Sequence, residues 1–154
     1  MLEYSRIEHQ LVEALPELRP AAEAYWRDEG APGEDSGPYI LYEDVFRPYI
    51  TSLLAAAPSP ARDRLLRRAF GFTDAMLATG GNIRDLAGIA VFEGQPSRWY
   101  DLAGPFLGPR ARAEIDQSGW SQELEGALDI GVDLYAVATL VAALLERPVP
   151  DGAA

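Results

Sequence analysis

Apolar residues in this chain recur at spacings of three and four, the period of an amphipathic α-helix, and runs alternating with period two are missing. The first apolar stripe runs from Ser5 to Trp26, where Pro16 predicts two helices or one kinked helix. A second stripe covers Tyr39 to Ala57, with Ile40 among the residues expected to face the core. Pro48 should bend this helix or mark a new first turn. The pattern predicts an all-α protein.

The clearest helix boundaries lie in the middle of the chain. Ser59-Pro60 supplies a capping hydroxyl and a proline at the first helical position, and Gly80-Gly81 ends the same helix. We expect Asn82 to cap the next helix, so that the two helices form a hairpin similar to one helical-repeat unit. This hairpin is predicted to be the centre of a compact multi-helix bundle.

Three further helices are predicted, at Ser97 to Ala103, from Gly108-Pro109 to about Gln117, and at Leu128 to Arg147. A length of 154 residues is typical of one domain, and we predict a single all-helical domain over residues 1–154. Within it, residues 30–38 form an acidic loop rich in glycine and proline, and residues 148–154 form a flexible tail.

Composition restricts the chemistry that such a bundle can carry. The chain has no cysteine and a single histidine, His9. Disulfides, thiolate metal sites and a cysteine nucleophile are therefore excluded. We interpret His9 as a helix histidine rather than a catalytic base, because no Gly-x-Ser-x-Gly motif accompanies it. The sequence predicts a protein that is not an enzyme, has no catalytic residues and needs no cofactor.

Adjacent acidic residues raise the alternative of a carboxylate-dependent metal enzyme. The doublets are Asp28-Glu29, Glu34-Asp35 and Glu43-Asp44. Neighbouring residues on a helix point about 100° apart, so a doublet does not make a pair of metal ligands, and we expect no metal site. The arginine cluster at residues 62–68 is a poor platform for nucleic acid in so acidic a chain.

Charge is divided unevenly along the chain, whose formal net charge is −11. Residues 1–60 hold 4 arginines and 11 acids, residues 61–113 hold 8 and 5, and residues 114–154 hold 1 and 8. We expect the arginines of the middle part to pair with carboxylates from both flanking parts. The acidic excess would then lie on the surfaces built by the two ends.

Acidic residues of the first part are interleaved with aromatic residues, which is typical of a protein-binding surface. Tyrosine and tryptophan anchor interfaces, and carboxylates steer a basic partner toward them. We predict that a cognate protein binds at Asp28, Glu29, Glu34, Asp35, Tyr39, Tyr42, Glu43 and Asp44. The alternative is that the aromatic residues belong to the core and the acids serve only solubility. The surface around Trp99, Tyr100 and Trp120 is a further alternative.

Four segments carry a resemblance to known proteins: Tyr39 to Leu54, Leu66 to Leu77, Asn82 to Glu93, and Phe106 to Arg110. Together they resemble small helical bacterial proteins encoded beside polymorphic or contact-dependent toxins, which act as their immunity proteins. The resemblance covers roughly residues 10–117. It implies binding to a cognate, basic toxin domain, and it brings no catalytic residues with it.

A second hypothesis is a self-associating helical scaffold or adaptor that uses the apolar helix from Leu128 to Leu145. The N-terminus lacks the residue order of a secretory signal, and the apolar run from Val132 to Leu145 is shorter than the roughly 18–20 residues of a membrane span. We therefore expect a soluble, cytoplasmic protein, a monomer or weak homodimer, that contacts neither membrane nor nucleic acid.

Overall fold

The structure, a computed structural model, describes residues 1–30, 37–118 and 135–146. All regular elements within these ranges are helices, and no strand occurs among them, which confirms the all-α class predicted from the apolar spacing. The predicted loop at residues 30–38 falls mostly outside the described residues, and the predicted tail at residues 148–154 falls entirely outside them.

The N-terminal stripe forms two helices, as Pro16 predicted. Helix α1 spans Ile7–Ala14 and helix α2 spans Arg19–Glu29. Between them Pro16–Leu18 forms a 3₁₀ turn, and Leu15 leaves the helical region with φ −124° and ψ 76°. Proline lacks the N–H that an α-helix requires and its ring clashes with the preceding turn, so the first helix ends before it.

Helix α3 covers residues 39–55 and contains a π-helical turn. Its α-helical parts are Tyr39–Leu41 and Arg47–Ala55, and the π-helical turn is Tyr42–Phe46. Pro48 follows this turn closely, so the predicted bend takes the form of a π turn at a place where proline withholds one hydrogen bond. The helix ends two residues before the predicted Ala57, because a residue that precedes a proline favours extended backbone.

The predicted central hairpin is confirmed. Helix α4 spans Pro60–Thr79, and helix α5 covers residues 81–92, with an α-helical part at Gly81–Ala87 and a second π-helical turn at Gly88–Phe92. The amide of Glu93 donates to the carbonyl of Gly88 at 2.8 Å, which is the five-residue hydrogen bond of a π turn.

The two ends of α4 show one prediction confirmed and one overturned. The Oγ atom of Ser59 accepts a hydrogen bond from the amide of Arg62 at 3.1 Å, as the capping signal predicted. Gly80 and Gly81 have φ angles of 78° and 57°, in the region that glycine tolerates, and they reverse the chain within two residues. The prediction that Asn82 caps α5 is wrong, because the chain already enters the helix at Gly81 with Gly80 as the cap residue.

The remaining described helices are α6 at Ser97–Ala103, α7 at Pro109–Ser118 and α8 at Tyr135–Glu146, with a 3₁₀ turn at Gly104–Phe106 between α6 and α7. These bounds confirm the helices predicted at residues 97–103 and 109–117. Residues 128–134 and 147 of the last predicted helix lie outside the described residues.

The core is built around α3 and the hairpin. Tyr42, Phe46 and Tyr49 of α3 are fully buried, and Phe70 of α4 packs against Trp99 of α6 with ring centroids 5.8 Å apart. Helix α8 packs against the second part of α3. Within the described ranges, no helix has both the length and the apolar character that crossing a bilayer requires.

Candidate functional site

Arg62 of α4 is used inside the fold. Its side chain is 5% exposed, and its guanidinium donates to the carbonyls of Leu53 and Leu54 at 2.8 and 3.2 Å. Those carbonyls belong to the last turn of α3, where helix carbonyls lack partners within the helix. Arg62 therefore fastens the end of α3 to the start of α4.

Two other arginines of the basic middle part bind carboxylates from the flanking parts, as the charge distribution predicted. The Nη2 atom of Arg68 lies 3.0 Å from Oε2 of Glu17, and Oε1 of the same carboxylate accepts a hydrogen bond from the Tyr49 hydroxyl at 2.7 Å. Arg84 donates to both carboxylate oxygens of Glu114, with Nε 2.8 Å from Oε1. Glu17 precedes the basic part and Glu114 follows it, so both flanks supply partners.

Arg47 of α3 binds the carbonyls around the π turn of α5. Its Nη1 atom donates to the carbonyls of Ala90 and Glu93 at 3.3 and 3.0 Å. Burial lowers the pKa of the Arg47 guanidinium, and the nearby carboxylate of Glu43 partly opposes that shift. Ala90 lies in the last turn of α5, where carbonyls lack partners within the helix, and Arg47 supplies a donor to it and to the carbonyl of Glu93, which follows the helix.

Two neighbouring side chains complete the same set of carbonyls. Nε2 of Gln95 donates to the carbonyl of Val91 at 2.9 Å, and the hydroxyl of Tyr100 donates to the carbonyl of Phe92. Burial, the largest cause, raises the pKa of Tyr100. The π turn of α5 is therefore held by side chains from α3, from α6 and from the segment before α6.

Among the predicted binding residues, Asp28 and Glu29 occupy the last turn of α2, and both are exposed. Neither forms an ion pair with another residue that the structure describes. Glu34 and Asp35 lie outside the described residues, so their part in the binding surface stays a prediction.

The predicted residues of α3 divide between surface and core. Asp44 is exposed, while Tyr39 and Glu43 are half-buried. Tyr42 is fully buried, and its hydroxyl donates to the carbonyl of Ile7 at 2.8 Å. Assigning Tyr42 to the binding surface is therefore wrong, because its ring fills the core and its hydroxyl already has a partner. For Tyr42 the alternative interpretation, that the aromatic residue belongs to the core, is correct.

Helix α1 brings the end of α2 and the start of α3 close together. The indole Nε1 of Trp26 donates to Oε1 of Glu8 at 3.3 Å, and Tyr42 binds the carbonyl of the adjacent Ile7. Burial is the larger cause that raises the pKa of Tyr42, and the negative charge of Glu8 adds to it. The end of α2 and the start of α3 therefore both contact α1.

Ile40 and Ile89 are the large apolar residues of α3 and α5 that are exposed. Ile40 was expected in the core and is 39% exposed, and Ile89 is 48% exposed. The π turn that follows Ile40 adds one residue to a helical turn, which rotates the two parts of α3 relative to each other. An apolar helical pattern extrapolated backward from the second part of α3 therefore predicts the wrong side of the helix for Ile40.

Helices α3 and α5 run side by side in the same direction. Burial is the largest cause that raises the pKa of Tyr39, and the charges of Tyr4 and Asp85 raise it further. Asp85 of α5 therefore lies within electrostatic reach of Tyr39 of α3. Arg47, two turns further along α3, binds the carbonyl of Glu93, two turns further along α5. This register places Glu43 level with Ile89.

We call the surface formed by these residues the α3–α5 face; it comprises Tyr39, Ile40, Glu43, Asp44, Arg47, Asp85, Ile89 and Glu93. Four carboxylates stand there against one guanidinium, and that guanidinium binds backbone carbonyls. Asp85 also lies 3.5 Å from Arg84, whose guanidinium is shared with Glu114. The face therefore carries an excess of negative charge around two exposed isoleucines.

The other candidate chemistry lies elsewhere. His9 is exposed, and its ring packs against Trp26 with centroids 5.1 Å apart. Across the described part of the chain, no three or more His, Asp or Glu side chains gather as metal ligands would. The alternative surface around Trp99 and Tyr100 is wrong for these two residues, since both are buried; Trp120 lies outside the described residues.

Comparison with known proteins leaves the site to be interpreted from its own geometry. No protein-family model matches the chain, no curated protein matches it, and no solved structure matches its fold. What the described residues show is an all-α bundle with a carboxylate-rich face between two parallel helices.

Proposed function

We propose that this chain is a non-enzymatic binding protein that neutralises a cognate, basic bacterial toxin domain by covering it with an acidic surface. One observation carries the proposal. Arg62 and Arg68 bind acceptors within the fold, whereas four carboxylates of the α3–α5 face stand against the guanidinium of Arg47 and that of Arg84, which Asp85 shares with Glu114. The surface therefore offers a partner negative charge with little competing positive charge.

This distribution favours a partner rich in arginine and lysine. Clustered carboxylates raise the local concentration of a basic molecule and speed association by about 10–10³-fold, an effect that salt screens. An acidic face competes for the same basic residues that grip nucleic acid or substrate phosphates. The assignment to toxins rests on the resemblance carried by the segments within residues 39–110, and it implies action in the cytoplasm.

Co-expression with the product of the adjacent gene tests the proposal. We expect the chain to protect cells that express that product and to co-purify with it. A chain carrying Glu43→Gln, Asp85→Asn and Glu93→Gln should protect less well, because the face loses three negative charges while no core contact changes. Neither protection nor co-purification with the unaltered chain would contradict the proposal.

A matched control removes the same charge from other surfaces. Glu13→Gln, Glu23→Gln and Asp116→Asn also neutralise three exposed carboxylates, on α1, α2 and α7. This variant should protect as well as the unaltered chain. Equal losses in both variants would show that total charge, rather than the α3–α5 face, governs binding.

One observation favours the alternative of a self-associating scaffold. A groove of about 380 Å³ lies between α3 and α8 and is lined mainly by small apolar residues, among them Ala55, Ala138, Ala142 and Leu145. Small residues allow helices of two copies to approach closely. Light scattering at micromolar concentration separates the two functions, because a strict monomer contradicts the scaffold and agrees with the binding protein.

A further inference from the structure

Ile40 and Ile89 give the α3–α5 face an apolar character that steering by charge does not require. Isolated apolar residues are common on protein surfaces. Here, Met1 apart, the exposed large apolar side chains of the described residues are these two, and they lie on the neighbouring helices α3 and α5. Each lies beside or within a π-helical turn, at Tyr42–Phe46 and at Gly88–Phe92. π turns are uncommon and occur frequently at functional sites.

We infer that Ile40 and Ile89 are the apolar anchors of a docking site whose occupant is an amphipathic helix of the partner, with leucine-like residues along one side and arginine or lysine beside them. This inference rests on the proposed function, since it names the part of the partner that the face receives. An amphipathic helix commonly docks by laying its apolar side against exposed apolar residues of its partner.

Charge complementarity selects a basic helix over a neutral one. Glu43 and Asp44 lie near Ile40 along α3, and Asp85 and Glu93 lie one turn to either side of Ile89 along α5. An apolar contact ringed by charged groups is the usual arrangement of an interface anchor, because the surrounding residues exclude water from it. A basic helix would place opposite charge beside Glu43 and Glu93, whereas an acidic helix would place like charge beside them.

The face is also held rigidly before any partner arrives. Arg47 ties α3 to the carbonyls of Ala90 and Glu93, and Gln95 binds the carbonyl of Val91. The backbone on both sides of Ile89 is therefore fixed by side-chain hydrogen bonds. A preorganised surface loses little conformational entropy on binding. Two modest apolar contacts should therefore make a measurable contribution to the binding affinity.

Fluorescence anisotropy with a labelled synthetic peptide tests the inference on the full chain. The probe is a helical leucine–lysine peptide with all leucines on one side, and its comparison peptide has the same composition in a scrambled order. We expect Ile40→Ser and Ile89→Ser each to weaken binding of the amphipathic peptide by about tenfold, the size of an interface anchor. The scrambled peptide should bind more weakly and respond to neither substitution.

Two control variants separate anchoring from general effects. Ala75→Ser on α4 and Ala113→Ser on α7 add a hydroxyl at exposed positions of other surfaces and should leave binding unchanged. Circular dichroism should be the same for all four variants, and the urea midpoint of the isoleucine variants should fall only slightly, since both isoleucines are partly covered but lie at the surface. If the double variant I40S/I89S binds the amphipathic peptide as the unaltered chain does, the inference is wrong.

The product of the adjacent gene distinguishes this inference from the proposed function. If that product binds the chain and I40S/I89S has no effect, the function holds and the anchors are wrong. If the product fails to bind while the peptide still depends on both isoleucines, the docking site holds and the toxin assignment is wrong.

Discussion

The arginines of α4 and the carboxylates of the α3–α5 face occupy opposite environments. Arg62 is buried at the end of α3, and Arg68 binds Glu17, a carboxylate whose side chain is 8% exposed. Asp85 and Glu93, in contrast, are exposed on a face where the single guanidinium binds carbonyls. Arg62 and Arg68 join helices to one another, whereas Asp85 and Glu93 lie where another molecule can reach them.

This difference explains how a chain of net charge −11 keeps a packed bundle. Like charges repel, and the cost is smallest when the excess carboxylates lie in water. Arg62 and Arg68 lie between helices, where their planar donors satisfy several acceptors at once. Substitutions in the two regions should therefore differ: those among the arginines should lower stability, and those among the exposed acids should alter binding.

The largest loss of stability is expected for Arg62→Ala. The carbonyls of Leu53 and Leu54 would lose a buried charged donor, which costs about 3 kcal/mol of unfolding free energy. Urea unfolding measures it. The matched control is Arg67→Ala, because both guanidiniums lie over the ring of Phe106, at 5.8 and 5.7 Å, but Arg67 is exposed. The control should cost about 1 kcal/mol or less, and equal losses would contradict the role of Arg62.

A smaller loss, about 2 kcal/mol, is expected for Glu17→Ala. Most of it comes from the Tyr49 hydroxyl, which would lose its acceptor in a buried position, since Arg68 is half-exposed and its ion pair is screened by water. Glu13→Ala is the control, because Glu13 is exposed and approaches Arg6 only at 3.7 Å. A loss for Glu17→Ala no greater than that for the control would show that the contact contributes nothing.

Stability should fall as pH rises above about 10. Burial raises the pKa of Tyr42 in the folded protein, and unfolding returns it to an ordinary value. Above the unfolded pKa the unfolded chain has released this proton and the folded chain still holds it, so rising pH favours unfolding. Between pH 9 and pH 11, the free energy of unfolding of the Tyr42→Phe variant should fall by about 1 kcal/mol less than that of the unaltered chain. Identical pH profiles in urea unfolding would contradict this.

The smallest effect on stability is expected for the pair Asp28→Asn and Glu29→Gln. Both side chains are exposed, so the free energy of unfolding should change by no more than about 0.5 kcal/mol. Association with a basic partner should slow by about twofold if the end of α2 adjoins the docking site. Stopped-flow mixing gives the rate, and a marked loss of stability would mean that these acids serve the fold instead.

The sequence predicts the helices of this bundle better than it predicts which residues form the α3–α5 face. Capping signals such as Ser59-Pro60 and Gly80-Gly81 act within a few residues, so the hairpin was predictable from local chemistry. The π turns were not predictable, because an extra residue in a helical turn depends on which distant side chains satisfy the freed carbonyls. Arg47 does so from α3 for the turn in α5.

The wrong predictions for Tyr42 and Ile40 have the same origin, because the sequence pattern does not show which side of the helix faces water. The interleaving of acids and aromatics marks a stretch of chain but not which side of a helix faces water, so Tyr42 was placed at the surface and lies in the core. Ile40 shows the reverse error, because the π turn after it changes the direction of the preceding residues. The arginine–carboxylate pairing was predictable in outline from charge counts, although the partners Glu17 and Glu114 were not.

The association rate between the full chain and the adjacent gene product should be measured across ionic strength, because salt screens the attraction between exposed carboxylates and a basic partner. If exposed carboxylates guide a basic partner to the α3–α5 face, the rate should fall at least about tenfold from low salt to about 0.5 M salt, and the E43Q/D85N/E93Q variant should fall less steeply. A rate independent of salt, or an equally steep fall with salt in both chains, would show that these carboxylates do not guide the partner.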